Sequence, residues 1–361
     1  MLLVINAGSS SIKLAVFDAA LAEVSRAQFG EISQGEHAAA LQDGLQQAGV
    51  VLADLDAVAH RVVHGGAGLT APCRLDAPVL AAIEACVPLA PLHNPANLMG
   101  IRAVATLAPD LPQYASFDTA FHATNPDVAT RYAIPAADAA RGIRRYGFHG
   151  LSYAALVAAL PGLSARRLPK RLLALHLGNG ASLCAILDGR SVAITMGYSP
   201  LDGLTMGTRA GGIDGNAVLR LAEVHGIDRA AHILNLESGL LALGGASDMR
   251  VLSRIDTPEA RFAIDHFCYW AVRHAGSMIA AMGGLDAVAF TGGIGENAPQ
   301  IRARILDGLA WAGVRYDGAA NRSGAACLHE TGSDVAIWTV PAAEERQIAS
   351  EAMALMGMKT A

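Results

Sequence analysis

The amino-acid sequence predicts an α/β fold made of two duplicated halves, and three patterns support this prediction. Residues 2–18 have the pattern of an apolar strand, a polar turn and a second apolar strand, and residues 172–188 repeat this plan 170 positions later. Helical patterns alternate with strands along the rest of the chain. No linker rich in proline, glycine or serine separates the halves, so we expect two domains packed closely around a cleft.

The two predicted hairpins carry glycine turns at equivalent places. The first turn lies at residues 6–11 and the second at residues 176–182, and Gly8 of the first falls on Gly178 of the second. Glycine lets a backbone approach a ligand closely. We therefore expect the two turns to face one another across the cleft.

Helix start and stop signals predict the helices that lie between and after the hairpins. Asn94 followed by Pro95 is a good start, because a capping side chain precedes the residue best tolerated at the first helical position, and the apolar pattern continues to residue 107. Pro161 is expected to end the next helix. The further predicted helices cover residues 152–160, 216–225, 258–282, 298–312 and 343–356.

Composition narrows the class of protein. The chain has 361 residues, a net charge of −5 and 16% charged residues, which fits about two domains and argues against a nucleic-acid or anionic-membrane partner. The five cysteines form no CxxC pair, and this favours a reducing compartment. The N-terminus lacks a basic leader and no apolar run reaches the ~18 residues of a membrane span, so we expect a cytoplasmic enzyme.

Two glycine-rich segments and one serine-rich turn have features of phosphate sites. Arg209 lies in residues 206–212, where a permanent cation adjoins glycines, and arginine offers a planar fork of donors to phosphate or carboxylate oxygens. Residues 8–13 combine serine hydroxyls, backbone N–H groups and Lys13. Residues 291–297 follow an apolar strand and begin a helix, as nucleotide-binding turns do.

Other segments allow more than one interpretation. His60 and His64 are spaced as in a zinc helix, but the glutamate of H-E-x-x-H is missing and the β-branched residues between them favour a strand. Titratable residues also sit among apolar ones at 92–95, 116–122 and 146–150, where a satisfied core histidine is the alternative to a functional site. The serine turn could be a plain polar hairpin, and no G-x-S-x-G elbow supports an esterase.

Two longer motifs carry a family resemblance. Residues 6–13 and residues 196–209 closely resemble the two signature motifs of acetate kinases, and six further segments match in order from residue 1 to about residue 350. The resemblance implies the actin-like (ribonuclease H-like) duplicated two-domain fold with an interdomain active-site cleft. The implied first domain covers 1–118 plus 343–361, and the implied nucleotide-binding domain covers 119–342.

The resemblance also implies a reaction and the residues that perform it. Acetate kinases move the γ-phosphoryl of ATP directly to acetate, reversibly and with Mg²⁺ or alternatively Mn²⁺, giving acetyl phosphate and ADP. By motif position, His149 and Arg209 hold the transferring phosphoryl and Arg61 the carboxylate. The catalytic set is Asp118, His149, Asn179 and Arg209; the metal ligands are Asn6, Asp118 and Glu344, with Glu345 adjacent.

Binding residues carry over in the same way. The substrate set is Arg61, Val63, Leu92, His93, Phe148 and Pro200, of which Val63, Leu92, Phe148 and Pro200 form the apolar pocket for the acetate methyl group. The nucleotide and phosphate set is Ser9, Ser11, Lys13, His176, Gly178, Asn179, Gly180, Asp248, Met249, Arg250, Gly293, Ile294, Gly295 and Asn297. Met249 replaces an aromatic residue that the family commonly has near the adenosine. A homodimer is a further expectation from the family.

Alternatives to acetate kinase remain at this point. One methylene is worth only ~1 to 3 kcal/mol in an apolar pocket, so a propionate or other short-chain carboxylate kinase fits the same residues. A sugar kinase normally offers an aspartate base for a hydroxyl, whereas a carboxylate is already ionised and needs none. An ATP-driven binding protein would share only the fold and would not need an apolar pocket beside Arg61 and Arg209.

Overall fold

The computed structural model describes residues 1–8, 11–30, 37–164 and 167–358. The chain divides into two compact units. The first comprises Met1–Ala123, Phe148–Ala155 and Ala343–Ala361, and the second comprises Thr124–Gly147 and Leu156–Ala342. The domain bounds expected from the resemblance, 1–118 with 343–361 and 119–342, stay a prediction.

The described residues form strands and helices in alternation, as the sequence predicts. The strands are β1 (Leu2–Ala7), β2 (Ser11–Phe17), β3 (Glu23–Gly30), β4 (Ala57–Val62), β5 (Cys73–Arg74), β6 (Gln113–Phe117), β7 (Arg171–Leu177), β8 (Ala181–Leu187), β9 (Arg190–Ile194), β10 (Ala287–Thr291) and β11 (Ala336–Thr339). The helices are α1 (His37–Gln47), α2 (Ala77–Ala85), α3 (Asn94–Leu107), α4 (Asp127–Thr130), α5 (Ala136–Ala139), α6 (Gly150–Ser164), α7 (Gly215–His225), α8 (Ile227–Leu236), α9 (Gly239–Gly244), α10 (Met249–Leu252), α11 (Pro258–Met282), α12 (Gly292–Asn297), α13 (Pro299–Asp307), α14 (Gly318–Ser323) and α15 (Glu344–Leu355). Short 3-10 turns lie at Leu52–Asp54, Val87–Leu89, Ala120–Thr124 and Ala310–Ala312.

The first unit is built on a sheet in the order β3-β2-β1-β4-β6-β5. Strands β1, β2 and β3 pair antiparallel, whereas β1, β4 and β6 run parallel. Because successive side chains of a strand point to opposite faces, Leu2 and Val4 pack with Ile348 of α15 on one face. Leu3 and Ile5 pack with helices α1 and α3 on the other. Burial on both faces explains why residues 2–5 of β1 are continuously apolar.

The second unit repeats this arrangement in the order β11-β10-β7-β8-β9. Strand β7 pairs antiparallel with β8 and parallel with β10, just as β1 pairs with β2 and β4. The duplicated α/β fold predicted from the sequence, of the actin-like type, is confirmed. The second strands of the two hairpins also keep the offset of 170 in their bounds, but residues 8–11 separate the pair Ala7 and Ile12 whereas residues 178–180 separate Leu177 and Ala181. The second turn is therefore one residue shorter.

Most predicted helix limits agree with the structure within two residues. Helix α11 has the predicted bounds, because the Thr257 hydroxyl caps its start and Gly283 ends it in the left-handed region at φ 68°. Two predicted limits were wrong. Helix α6 continues past Pro161 for one turn, in which the Ser164 hydroxyl donates to the Pro161 carbonyl. The helix predicted at 298–312 stops at Asp307 and continues as a 3-10 turn.

Among the residues that the structure describes, no helix combines the length and the apolar character needed to cross a membrane.

Candidate active site

In the first unit, polar side chains gather at the carboxyl ends of the parallel strands. Arg61 lies near the end of β4, and Asp118 follows the end of the neighbouring strand β6. Asn6 lies near the end of β1, beside the β4 residues. Because the carboxyl ends of adjacent parallel strands share one edge of a sheet, this is where a ligand site is expected.

These three residues form one hydrogen-bonded cluster. The Arg61 guanidinium donates from Nε to Asp118 Oδ1 at 3.0 Å and from Nη2 to Oδ2 at 2.5 Å, and its Nη1 donates to Asn6 Oδ1 at 3.1 Å. Asp118 is only 1% exposed, while the Arg61 side chain is 21% exposed. A bidentate arginine–carboxylate pair of this kind fixes the orientation of both side chains.

Two further carboxylates act on the cluster. Burial lowers the pKa of the Arg61 guanidinium, but attraction to the carboxylates of Asp118, Glu344 and Glu345 outweighs burial and raises the pKa overall. Asn6 Nδ2 lies 3.4 Å from Glu345 Oε1, and Glu345 is buried. In the structure Glu345 therefore contacts Asn6, whereas the sequence favoured Glu344 as the acidic residue of the site.

The first hairpin places Lys13 directly opposite Asn6 across the β1–β2 ladder. Residues directly opposite in an antiparallel pair lie side by side on one face of the sheet. In the turn before it, Gly8 N donates to the Ser11 carbonyl at 2.7 Å. Ser9, which the sequence also assigned to phosphate binding, lies outside the described residues.

His149 occupies an unusual backbone conformation in the first unit. Its φ is 59°, in the left-handed region that side chains other than glycine rarely adopt. The neighbouring Gly150 N donates to the Asp118 carbonyl at 2.8 Å, and a Cβ on Gly150 would lie 2.2 Å from that oxygen. Residue 150 must therefore be glycine, and the segment that carries His149 is joined directly to Asp118.

The segment that carries Val63 is held by two buried asparagines of α3. Asn97 Oδ1 accepts from Val63 N at 3.0 Å, and Asn94 Oδ1 accepts from His64 N at 3.1 Å. The His64 ring contacts Phe148 edge to face at 5.5 Å. Val63 and Phe148 are buried, whereas Leu92 is 47% exposed and His93, at the start of α3, is half-buried.

The second unit contains a cavity of about 890 Å³. Most of the residues that the sequence assigned to nucleotide binding line it: Gly178, Asn179, Asp248, Met249, Arg250, Gly293, Ile294 and Asn297. Ser247, Ala298 and Gln300 also line the cavity and were missed from the sequence. His176, Gly180 and Gly295, which were predicted, do not line it. A volume of this size lies within the range of ligand pockets.

Asp248 and Arg250 form an ion pair at the cavity. Arg250 Nη2 donates to Asp248 Oδ2 at 2.6 Å, and Asp248 also caps the start of α10 by accepting from Arg250 N. The hydrogen bonds and charge of Arg250 lower the pKa of Asp248 to about 2. Met249, between them, is 3% exposed.

The loop that carries Arg209 packs against the glycine turn of the second hairpin. Gly207 N donates to the Asn179 carbonyl at 3.0 Å, and a Cβ on Gly207 would lie 2.0 Å from Asn179 Oδ1. Arg209 is half-buried, and its Nη1 donates to the carbonyl of Pro200, also half-buried, at 3.3 Å. Gly239 at the start of α9, with φ 67°, allows a close approach to the carbonyls of Met206 and Arg209.

Two charged residues that the sequence analysis missed support the glycine turn at 291–297. Glu296 Oε1 accepts from Gly292 N at 3.0 Å. The fully buried Arg302 donates to the carbonyls of Gly295 and Glu296 at 2.9 and 2.7 Å. The sequence could have indicated that Arg302 is buried, because it lies on the apolar face of α13 between Ile301 and Ile305.

The two histidines of the first unit do not lie on one helix, as the zinc helix pattern would require. Strand β4 ends at Val62, so His60 lies in the strand and His64 beyond it. His60 Nε2 lies 2.8 Å from Gln113 Oε1, and His64 Nδ1 accepts from Gly66 N. Among the described residues, no group of three or more His, Cys, Asp or Glu side chains is placed to hold a metal ion.

Comparison with known proteins identifies what this chain is similar to. A sequence model of the Acetokinase family matches residues 33–350. The acetate kinase of Rhodopseudomonas palustris is 42% identical, and the match covers 97% of this chain and 96% of that protein.

Solved structures agree with the sequence comparison. The crystal structure of Porphyromonas gingivalis acetate kinase has a TM-score of 0.90 at 32% identity, covering 98% of this chain and 99% of that one. A propionate kinase from Francisella tularensis also has a TM-score of 0.90, at 34% identity, covering 97% and 98%.

Proposed function

This chain belongs to the acetokinase family, and from that premise we propose that it transfers the γ-phosphoryl of ATP to acetate, reversibly giving acetyl phosphate and ADP. The observation that carries the proposal is the likeness over almost the whole chain, 42% identical over 97% of its length. We assign the cavity of the second unit to the nucleotide and the Arg61 cluster of the first unit to the carboxylate, and both support the proposal.

Phosphoryl transfer of this kind requires positioning and charge neutralisation more than covalent help. We assign Arg209 and His149 to the oxygens of the phosphoryl in transfer, and Arg61 to the carboxylate or acyl phosphate. Arg61 suits this role because its raised pKa keeps it charged and its bond to Asp118 fixes its direction. Asn179 and His176 are assigned to the phosphates.

Magnesium fits the donors that the first unit presents. Mg²⁺ prefers hard oxygen ligands, keeps several waters and needs only one or two carboxylates, and Mn²⁺ accepts the same donors. Asp118 with either Glu344 or Glu345, helped by Asn6 Oδ1, would hold it. Each carboxylate oxygen accepts more than one bond, so Asp118 can keep Arg61 and still bind a cation. When bound, the cation neutralises phosphate charge.

Acetate is the substrate that the family favours, and propionate is the alternative. Val63, Leu92, Phe148 and Pro200 are assigned to the acyl chain, and a propionate kinase is among the structures that match this chain at 34% identity. The difference of one methylene is worth only ~1 to 3 kcal/mol, so both acids are expected to react and their rates to differ.

We also propose that the protein forms a homodimer. We further propose a cytoplasmic location, which cell fractionation would check. Exposed apolar side chains on α7 and α8 support the dimer, since Leu219 is 63% exposed and Ile227 is 79% exposed.

An acyl-phosphate assay tests the proposed reaction. The purified protein is incubated with ATP, Mg²⁺ and acetate, propionate or butyrate, and acyl phosphate is trapped with hydroxylamine. We expect hydroxamate with acetate, and the ratio of kcat/KM for acetate and propionate assigns the preferred acid. Absence of hydroxamate with every acid would refute the proposed function, and a propionate preference of tenfold or more, equal to ~1.4 kcal/mol, would favour the alternative.

A further inference from the structure

The strained backbone of His149 requires an external restraint. A residue with a side chain at φ 59° persists only where its surroundings enforce that conformation. His149 itself is half-buried and follows the fully buried Phe148. The direction of its side chain therefore depends on what holds the backbone on either side.

Both peptide groups that flank His149 are held by the segment 118–122. On the far side, Gly150 N donates to the Asp118 carbonyl at 2.8 Å. On the near side, the Phe148 carbonyl lies 2.9 Å from His122 Nε2. A peptide carbonyl can only accept, so Nε2 of His122 carries the proton and donates. Two hydrogen bonds therefore restrain the backbone dihedrals of His149 from both directions.

His122 is itself fixed by packing. It is 2% exposed, and its ring contacts the rings of Phe121 and Tyr153 at centroid distances of 5.7 and 5.8 Å. Burial lowers its pKa to about 4, so the ring is neutral at physiological pH. A neutral buried ring packed against two aromatic rings makes a rigid donor for the Phe148 carbonyl.

We propose that His122 is a positioning residue that, by holding the Phe148 carbonyl, sets the backbone of His149 and so the direction of its imidazole. The inference rests on the proposed function, in which His149 contacts the phosphoryl group. His122 would then act on the rate of transfer without touching either substrate.

Two substitutions at position 122 separate the hydrogen bond from the packing. His122→Phe keeps an aromatic ring of similar size but removes the donor. His122→Gln keeps a donor, because the glutamine Nε2 can reach the position of the imidazole Nε2. Since a misplacement of about 1 Å can cost ~10²-fold in rate, we expect His122→Phe to lower kcat by about 10- to 100-fold. KM for ATP and for acetate should stay within about threefold, and His122→Gln should restore kcat to within about threefold of the parent.

His60→Phe is a matched control, because His60 is 1% exposed like His122 but its ring pairs with the Gln113 side chain and not with the Phe148 carbonyl. It should lose stability but keep kcat. If His122→Phe does not fold, His122→Met, which also lacks the donor, replaces it. A donor-free variant with parental kcat, equal losses in the Phe and Gln variants, or an equal loss of kcat in His60→Phe would each overturn the inference.

A crystal structure of the donor-free variant decides the inference independently of activity. If the parent forms no acyl phosphate, the proposed function fails, but the restraint on His149 can still be tested. A φ of His149 that leaves the left-handed region in the variant supports the restraint by His122, and an unchanged φ refutes it.

Discussion

At the scale of single residues, the roles of the arginines depend on their surroundings more than on their charge. Arg61 is bound to Asp118 and Asn6, so its guanidinium is directed before any substrate arrives. Arg209 donates to the carbonyl of Pro200, which lies in the same motif, residues 196–209. The sequence could predict the residue types, because the motif 196–209 is specific, but not these hydrogen-bond partners.

Arg209→Ala is expected to reduce the rate of transfer strongly. Removing one donor to charge that develops in the transition state typically costs ~3 to 4 kcal/mol, or roughly 10² to 10³ in kcat. The steady-state rate of acyl-phosphate formation measures the effect. Arg261→Ala is the matched control, because Arg261 lies in the same unit with its side chain 58% exposed and pairs only with Asp256 among the ion pairs of the described residues. A kcat within a few fold of the parent in Arg209→Ala would assign Arg209 to structure.

The two adjacent glutamates at the start of α15 show that sequence reasoning does not give the direction of a side chain. Glu344 and Glu345 are adjacent on α15, and the family motif alone favoured Glu344. The structure buries Glu345 and places it 3.4 Å from Asn6. The direction of a side chain on a helix depends on the rotation of that helix against its sheet, which is a property of packing.

At the scale of elements, α7 is poorly buried within the described part of the chain. None of its residues is buried within the chain, although its apolar residues lie on more than one side and α8 packs against it. Most of the stability of a protein helix comes from packing an apolar face. Exposed Leu219, Val224 and Ile227 are therefore the residues that we expect a second copy of the chain to cover.

Lysine substitutions on α7 test the dimer. Leu219→Lys combined with Val224→Lys would bury two unpaired charges from each copy in the interface, and we expect the dimer to weaken by at least about 100-fold. Sedimentation equilibrium should give twice the chain mass for the parent and the single mass for the variant. Val128→Lys, at a residue 92% exposed on α4, is the control and should remain dimeric. A parent of single mass, or an unaffected variant, would contradict this surface.

Element limits followed from local signals where those signals were strong. Thr257 and Gly283 set the ends of α11 as predicted, because capping and left-handed glycine are local properties. Pro161 did not end α6: a proline removes only its own backbone hydrogen bond, and the helix continues for one more turn to Ser164. Gly308 lies where α13 meets Val272 of α11, and a Cβ there would lie 2.6 Å from a Val272 methyl. A helix end that depends on such a contact between two helices cannot be predicted from the neighbouring residues in the sequence.

At the scale of the whole molecule, buried histidines should make stability depend on pH. Burial lowers the pKa of His60, His64 and His122 to about 4, from an ordinary value of 6.5. The unfolded chain therefore binds more protons than the folded chain between these values, and stability is lost as the pH falls from about 6.5 toward 4. Each site contributes a slope of up to ~1.4 kcal/mol per pH unit.

Urea unfolding at pH 7.0 and 5.0 measures this effect. We expect the free energy of unfolding of the first unit to be lower at pH 5.0, and the decrease to be smaller in His60→Phe, which lacks one of the three sites. A decrease of the same size in His60→Phe and the parent would show that His60 does not take up a proton on unfolding.

The sequence by itself determined the duplicated α/β fold, the glycine turns and most of the cavity-lining residues, because strand periodicity, turn chemistry and motif order are local and repeat along the chain. Only the tertiary structure decided that Glu345 meets Asn6, that Arg302 supports the turn after β10 and that His122 holds the backbone beside His149. These contacts join residues brought together by the pairing of strands and the packing of helices. Their geometry is set by the sum of many weak interactions, and no short stretch of sequence contains it.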